Sequence, residues 1–402
     1  MRQAIRYFML AGLLTLGIAL PARPADGPVY RQRWFYAPFN LLVDSQADEL
    51  IRLIGQAQRA GYNGLVLADY KLNILDSMGP EYFRNVKRVQ KAASEARIDI
   101  IPGVFPIGYS DGLLAHDPNL AEGLLVKDAP FIVRGRTALP VRDSKARLRN
   151  GNLEQTRGDV FVGFSYQDGP GKTTFADHHV KHGGRTSCRM AMDPRRSSSG
   201  NYRLMQTVKL RPHACYRFSC WVKTAKLEPT NGFQLLVVGT SPQHRQLTFF
   251  ETALQPTRDW ARLDVVFNTL DESEVILYAG IWGGRSGTLW LDDLALEELS
   301  LVNVLRRPGC PLTVTSADGR TVFKEGQDFE PVRDSKLGQV PWAGEYSFDH
   351  AGPTLRLTPN SRIRPGARLR VSWYHPIITQ GSQVMCCLSE PKLYDILRDQ
   401  AR

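Results

Sequence analysis

The residue types that do chemistry fall in a few short stretches of this chain. "GLVLADY" ends in Asp69 and Tyr70, "GYSDG" carries Asp111, "WYHP" carries Tyr374 and His375, and "SEP" carries Glu390. Asp69 closes an apolar run and Glu390 opens an amphipathic one, so both carboxylates stand where one element passes into the next. A pair of carboxyl groups, one of them able to give a proton, is what cleavage of a glycosidic bond requires. Asp69 and Glu390 are therefore the candidate catalytic residues. Tyr374 and His375 are candidate substrate contacts at a strand end. Tyr278 and Trp282, on one face of "EVILYAGIW", offer flat rings to a sugar. Each has a structural reading beside the functional one. Ser389, Glu390 and Pro391 also read as an N-cap and first helical turn, His375 as a packed strand-end histidine, and Tyr278 and Trp282 as the second layer of a sandwich core.

The elements that must position these groups begin in an alternating style. "RWFYAPF" predicts a strand, and "SQADELIRLIGQAQRAG" a helix with Ser45 and Asp48 spaced as a capping box and Leu50, Leu53, Ile54 and Ala57 as its apolar stripe. "GLVLADY" is a second strand. "PEYFRNVKRVQKAASEAR" is a second helix that buries Phe83, Val86 and Val89, and "IDIIPGVF" a third strand. Successive β-α-β units predict parallel strands joined by right-handed crossovers. No glycine-rich phosphate turn follows the first strand, which disfavours a dinucleotide fold.

From about Asn150 to residue 300 helical periodicity vanishes. Strands such as "YRLMQTVKL", "CYRFSCWVKT", "FQLLVVGT", "EVILYAGIW" and "TLWLDDLAL" alternate with Gly, Pro, Asn and Ser turns, which predicts an antiparallel sandwich. Tyr216, Phe218, Cys220 and Val222 share one face, as do Val275, Leu277, Ala279 and Ile281. In order and spacing, "NGNLE" at 150–154, "LMQTVKLRPHACYRFSCWVKT", Trp260 and "GTLWLDDLAL" resemble family 4/9-type carbohydrate-binding modules, which are jelly rolls that bind polysaccharide and accompany glycoside hydrolases. The resemblance implies a structural Ca2+ where the first and last strands meet. Glu154 and Asp292 match the ligand positions, with Asp293 as the alternative, and a hard cation of this kind needs several oxygens.

"SEP" is similar to the Asn-Glu-Pro motif that carries the acid/base glutamate in a large clan of barrel glycosidases, with Ser389 in place of the asparagine. The fold class expected is thus multidomain α/β plus all-β: a partial (β/α) barrel with an inserted β-sandwich. Residues 26–147 would be its first part, 148–300 the jelly roll, 301–366 a β-rich connection and 367–402 the return to the barrel. About four barrel strands are legible where closure takes eight, so the chain reads as the front of a longer protein, with a complete small α/β layer as the alternative.

The remaining features bound the function class. The formal charge of +11, to which Arg2, Arg6 and Arg23 contribute three, is scattered rather than gathered into the basic stripe that nucleic acid requires. Residues 1–25, with Arg2 and Arg6 before an apolar run from Phe8 to Leu20, read as a secretory signal peptide, which implies a secreted or periplasmic protein with no membrane contact after cleavage. Cys215 and Cys220, five apart in one strand, face opposite sides, and the six cysteines read mostly as unpaired buried thiols, with a bridge at Cys188 or Cys310 as the alternative. "GPGKTT", "HHVKH" and "GIWGGRSG" lack the spacing of phosphate, metal and dinucleotide sites. The expected function is an exported carbohydrate-active protein, a glycoside-hydrolase-like barrel carrying a polysaccharide-binding module. A non-catalytic glycan- or envelope-binding protein is the alternative.

Overall fold

A computed structural model describes residues 30–103, 110–248, 252–380 and 383–400. The expected signal segment lies outside these residues. Strands β1 (Trp34–Ala37), β2 (Gly64–Leu67) and β3 (Asp99–Pro102) pair in parallel in that order, joined by helices α1 (Asp44–Arg59) and α2 (Pro80–Ala96). The helices pack on each other and on the sheet through Leu50, Ile54, Leu65, Tyr82, Val89 and Ala93. Two local expectations are corrected. Helix α1 starts one residue early, behind Val43, with no side-chain cap, so Ser45 and Asp48 form no capping box. Helix α2 buries Tyr82, Asn85 and Val89 and leaves Phe83 exposed. That face is chosen by Asn85, whose Nδ2 donates to the Leu41 carbonyl and to Asp44 Oδ1.

After the short α3 (Asp111–His116) the chain leaves this layer. β4 (Gly123–Arg134) and β5 (Thr137–Pro140) begin an antiparallel sheet that the sequence reading had assigned to the barrel. The chain then builds the sandwich: a hairpin of β6 (Thr156–Arg157) and β7 (Val160–Phe161), then β8 (Tyr166–Gln167), β9 (Thr174–Asp177), β10 (Ser187–Ala191), β11 (Tyr202–Lys209), β12 (Cys215–Glu228), β13 (Phe233–Gly239), β14 (Arg258–Asn268), β15 (Glu274–Ile281) and β16 (Ser286–Leu299). A five-stranded sheet, β14-β12-β16-β10-β9, faces a four-stranded one, β13-β15-β11-β8. Between them lie Tyr216, Phe218, Cys220 and Val222 from one sheet and Val275, Leu277, Ala279 and Ile281 from the other, the two faces the alternation predicts.

β17 (Thr313–Ser316), β18 (Val322–Phe323), β19 (Leu355–Arg356) and β20 (Arg368–Pro376) complete the antiparallel sheet, in the order β18-β17-β20-β4-β5-β19. Residues 123–140 and 313–376 therefore form one unit around Phe131, Val371 and Trp373, and the sandwich is inserted into that unit. The return to a parallel sheet expected from residue 367 does not occur: Arg368–Pro376 runs antiparallel to Gly123–Arg134. The physical reason is that "GLLVKDAPFIVR" is a strong strand whose partner lies some 240 residues on, and no local signal names a partner at that range. The hairpin of β21 (Ile378–Gln380) and β22 (Gln383–Val384) and helix α4 (Pro391–Gln400) end the description, with Leu393, Ile396 and Leu397 on the packed face of α4. Among the described residues the parallel sheet has three strands, no helix is long and apolar enough to cross a membrane, and all six cysteines are free and buried.

Candidate functional site

The outer face of the four-stranded sheet carries an aromatic platform. Tyr278 points away from the core, flanked across the sheet by Met205 and Leu236. Trp282, just past the strand, meets it edge-on with ring centroids 6.2 Å apart. Gly280 lies between them, and a Cβ there would stand 2.2 Å from the Tyr202 carbonyl oxygen, so only glycine lets β15 approach β11 this closely. The Arg203 guanidinium lies 5.5 Å from the Trp282 ring and 6.0 Å from that of Tyr166. Asp168 anchors it, accepting from Arg203 Nε at 2.8 Å and from the Tyr166 hydroxyl at 2.9 Å. These bonds raise the pKa of both partners, with the hydrogen bond to Asp168 the leading cause in each case. The sandwich-core reading of Tyr278 and Trp282 is thus replaced by an outward one. Arg203, Met205 and Tyr166 were missed, although the alternation of "YRLMQTVKL" puts Arg203 and Met205 opposite the core residues Tyr202 and Leu204.

Glu154 and Asp292 meet at one turn, residues 182–186. Asp292 Oδ2 accepts from the backbone N–H of His182 and Gly183 at 2.8 and 3.1 Å, and Oδ1 from that of Asp293. Glu154 Oε1 accepts from the N–H groups of Arg185 and Thr186 at 2.8 and 3.1 Å. Burial pushes the Asp292 carboxyl up against the pull of its three N–H bonds, whereas in Glu154 the N–H bonds outweigh burial and lower it. His182 stacks on Trp221 at 3.8 Å and its Nδ1 meets Asp293 Oδ2 at 2.7 Å. Glu154 and Asp292 thus reach the same turn, each bonded to its backbone N–H groups. Among the described residues no group of three or more His, Cys, Asp and Glu side chains is placed to hold a metal.

Asp69 and Glu390 are each engaged by partners of their own. Asp69 is 2% exposed, and its carboxylate ties two loops, accepting from Leu41 N at 2.9 Å and from Lys71 N at 3.2 Å. Glu390 precedes α4 and pairs with the partly buried Arg307 at 3.1 Å. The far end of α4 touches the Asn73 carbonyl through Gln400, and Glu390 lies just before the other end of that ten-residue helix, which is about 15 Å long. His375 is also spoken for. It is 2% exposed, its Nε2 accepts from Asn268 Nδ2 at 3.0 Å and its Nδ1 donates to the Pro376 carbonyl at 3.1 Å. Burial pushes it down to about 4, so it is a neutral packing residue between sandwich and sheet. Tyr374 packs half-buried beside Leu305 and Cys310.

No protein-family model matches the chain, and no curated protein sequence is similar to it. Among solved structures, a family 4 carbohydrate-binding module is 14% identical, covering 38% of this chain and 99% of its own at a TM-score of 0.28. The CBM22-1 xylan-binding domain of Paenibacillus barcinonensis Xyn10C is 10% identical, covering 35% and 88% at 0.25. An arabinose-bound family 51 α-L-arabinofuranosidase is 14% identical, covering 44% of this chain and 32% of its own at 0.30. Scores this low leave the β-sandwich to be judged on its own strands and faces.

Proposed function

We propose that the protein is an exported carbohydrate-active protein whose sandwich binds a polysaccharide or oligosaccharide across the outer face of its four-stranded sheet. The carrying observation is the platform of Tyr278, Trp282, Tyr166 and Arg203, rings of intermediate to high exposure fixed by the Asp168 anchor. A sugar ring lays its C–H face on such rings while its hydroxyls take the charged edge. Binding to soluble glycans by affinity electrophoresis tests it. Tyr278→Ala and Trp282→Ala are each expected to weaken binding about tenfold or more, roughly 1.4 kcal/mol. Unchanged migration of the double variant in every glycan the protein binds would sink the reading.

A glycoside-hydrolase-like barrel belongs to the same proposal, supported by the parallel β-α-β layer with Asp69 at the carboxyl end of β2. A structural Ca2+ at Glu154 and Asp292 is supported by the meeting of both carboxylates at one turn. The ion would supply the link between first and last strands that the N–H bonds now make. Chelator is then expected to lower the melting temperature, because a ligand of the folded state alone stabilises it by mass action. An unchanged curve after verified metal removal assigns the turn to its N–H bonds.

A further inference from the structure

The arginines that look scattered in the sequence are sorted by the register of the six-stranded sheet. Alternation sends Phe131, Val133, Leu369 and Val371 into the core, so Ile132, Arg134, Arg368 and Arg370 stand on the other face. Strand pairing sets three rows across that face. Arg370 lies opposite Pro130 and Thr315. Arg368 lies opposite Ile132, which pairs on with Leu139. Arg134 lies opposite Thr137, which pairs on with Arg356. Rows are about 7 Å apart along the strands and neighbours about 4.8 Å apart across them, so these four arginines, from three strands, share a patch roughly 15 Å on a side. All four are exposed, and among the described residues no carboxylate stands within ion-pair distance of any of them. Acids do lie at the margins. Asp318 is 3.8 Å from Arg320 and Glu330 is 3.7 Å from Arg136, each with an arginine outside the four, and Asp128 is exposed in the β4 bulge. Ile132 and Leu139, the latter 40% exposed, fill the middle row.

We propose that this face binds an acidic polysaccharide, a chain of sugar rings bearing carboxylates. The choice of a polysaccharide rests on the sandwich reading, while the place and the charge come from the six-stranded sheet alone. Like charges gathered on one face raise a positive potential that a polyanion relieves. Each guanidinium presents a planar fork that meets a carboxylate with two hydrogen bonds. Between the forks, Ile132 and Leu139 give the C–H faces of the rings an apolar floor. A nucleic acid is disfavoured, because unpaired bases need rings to stack on and no outward position of these rows is aromatic. A lipid surface is disfavoured as well. Interfacial segments put apolar residues on one face and cations on the other, whereas here both share one face.

The test is isothermal titration calorimetry of the full chain with polygalacturonate, alginate and methyl-esterified polygalacturonate, in a Tyr278→Ala/Trp282→Ala background that removes the sandwich platform. Binding to at least one charged polymer is expected to survive in that background and to weaken as ionic strength rises. The esterified polymer is expected to bind tenfold or more weakly. Arg134→Ala/Arg368→Ala and, as a second pair, Arg356→Ala/Arg370→Ala are each expected to weaken binding tenfold or more. Arg59→Ala/Lys87→Ala removes the same charge from exposed positions on α1 and α2 and is expected to change binding less than twofold. All three pairs are expected to melt with the parent, since each alters exposed side chains outside any ion pair. No binding to either charged polymer overturns the proposal, as does equal binding of the esterified one. Equal loss in the α1 and α2 control overturns it too, by assigning the attraction to net charge rather than to this face, and so does tighter binding to single-stranded DNA or phosphatidylserine vesicles. Binding of neutral glycans by the parent chain reports separately on the sandwich.

Discussion

Among the described residues of the sandwich, 151–299, one buried side-chain polar atom has no hydrogen-bond partner, Arg217 Nε, and an ion pair with Asp264 at 3.5 Å holds it. The turn Tyr70–Asn73 beside the parallel layer leaves three, Lys71 Nζ, which pairs with Asp69 at 3.5 Å, and both atoms of the Asn73 amide, which pair with nothing. Both regions bury strands, but they differ in where their polarity is spent. The sandwich satisfies its interior and carries Tyr166, Tyr278 and Trp282 on the outer face of its four-stranded sheet. The parallel layer closes its apolar side with α1 and α2 and leaves the Asn73 amide without a hydrogen bond in the turn that follows β2.

The largest expected effect tests the closed character of the sandwich. Phe218→Ala, at a residue 1% exposed in the core between the sheets, is expected to lower stability to urea unfolding by about 3–5 kcal/mol. A smaller loss would mean that the sandwich is looser than its packing implies. Next comes Glu390→Gln. Its ion pair with Arg307 leaves the two side chains 14% and 10% exposed, and breaking it is expected to cost roughly 2–3 kcal/mol, somewhat less than the ~3–5 of a fully buried pair. If stability were untouched while a glycan-cleaving activity vanished, Glu390 would be catalytic after all.

The junction between the sandwich and the six-stranded sheet has its own signature in pH. His375 is held neutral there, with a pKa pushed from 6.5 to about 4 by burial. The unfolded chain therefore takes up the proton first, and stability contributed by the neutral ring, fully present above 6.5, falls as pH drops toward 4. His375→Gln is expected to flatten that part of a stability–pH curve; an unchanged slope would move its origin elsewhere. Tyr278→Ala, on the outward face, is expected to change stability by less than about 1 kcal/mol while glycan binding falls. Equal losses in both would return Tyr278 to a packing role. Last, Lys91→Ala removes an exposed pair with Glu95 at 3.9 Å and is expected to cost under about 0.5 kcal/mol, the baseline for the rest.

Much of this was legible from periodicity. The β-α-β opening, the sandwich strands and the shared faces of Tyr216 with Val222 and Val275 with Ile281 follow from which side of each element is apolar, and that is a local property. Even the outward parity of Tyr278 was readable, although bulk alone argued for the core. What a single strand does not state is its partner. "GLLVKDAPFIVR" satisfies its hydrogen bonds equally well in either sheet type. Only the pairing of Gly123–Arg134 with Arg368–Pro376 decided that it left the parallel layer, and with it which unit receives the sandwich. The roles of the charged residues lay further still from the sequence. Glu390, Asp69 and His375 each looked available at an element's end, and each is engaged by a residue distant in the chain, Arg307, Leu41 and Asn268. Conversely Asn73, an unremarkable turn residue by type, becomes conspicuous because α3 and α4 close over it without answering its amide. Hydrophobic alternation is written residue by residue, so the sequence determined which faces are buried. Hydrogen-bond satisfaction is a relation between distant residues, so only the tertiary structure decided which polar groups are paired and which are not.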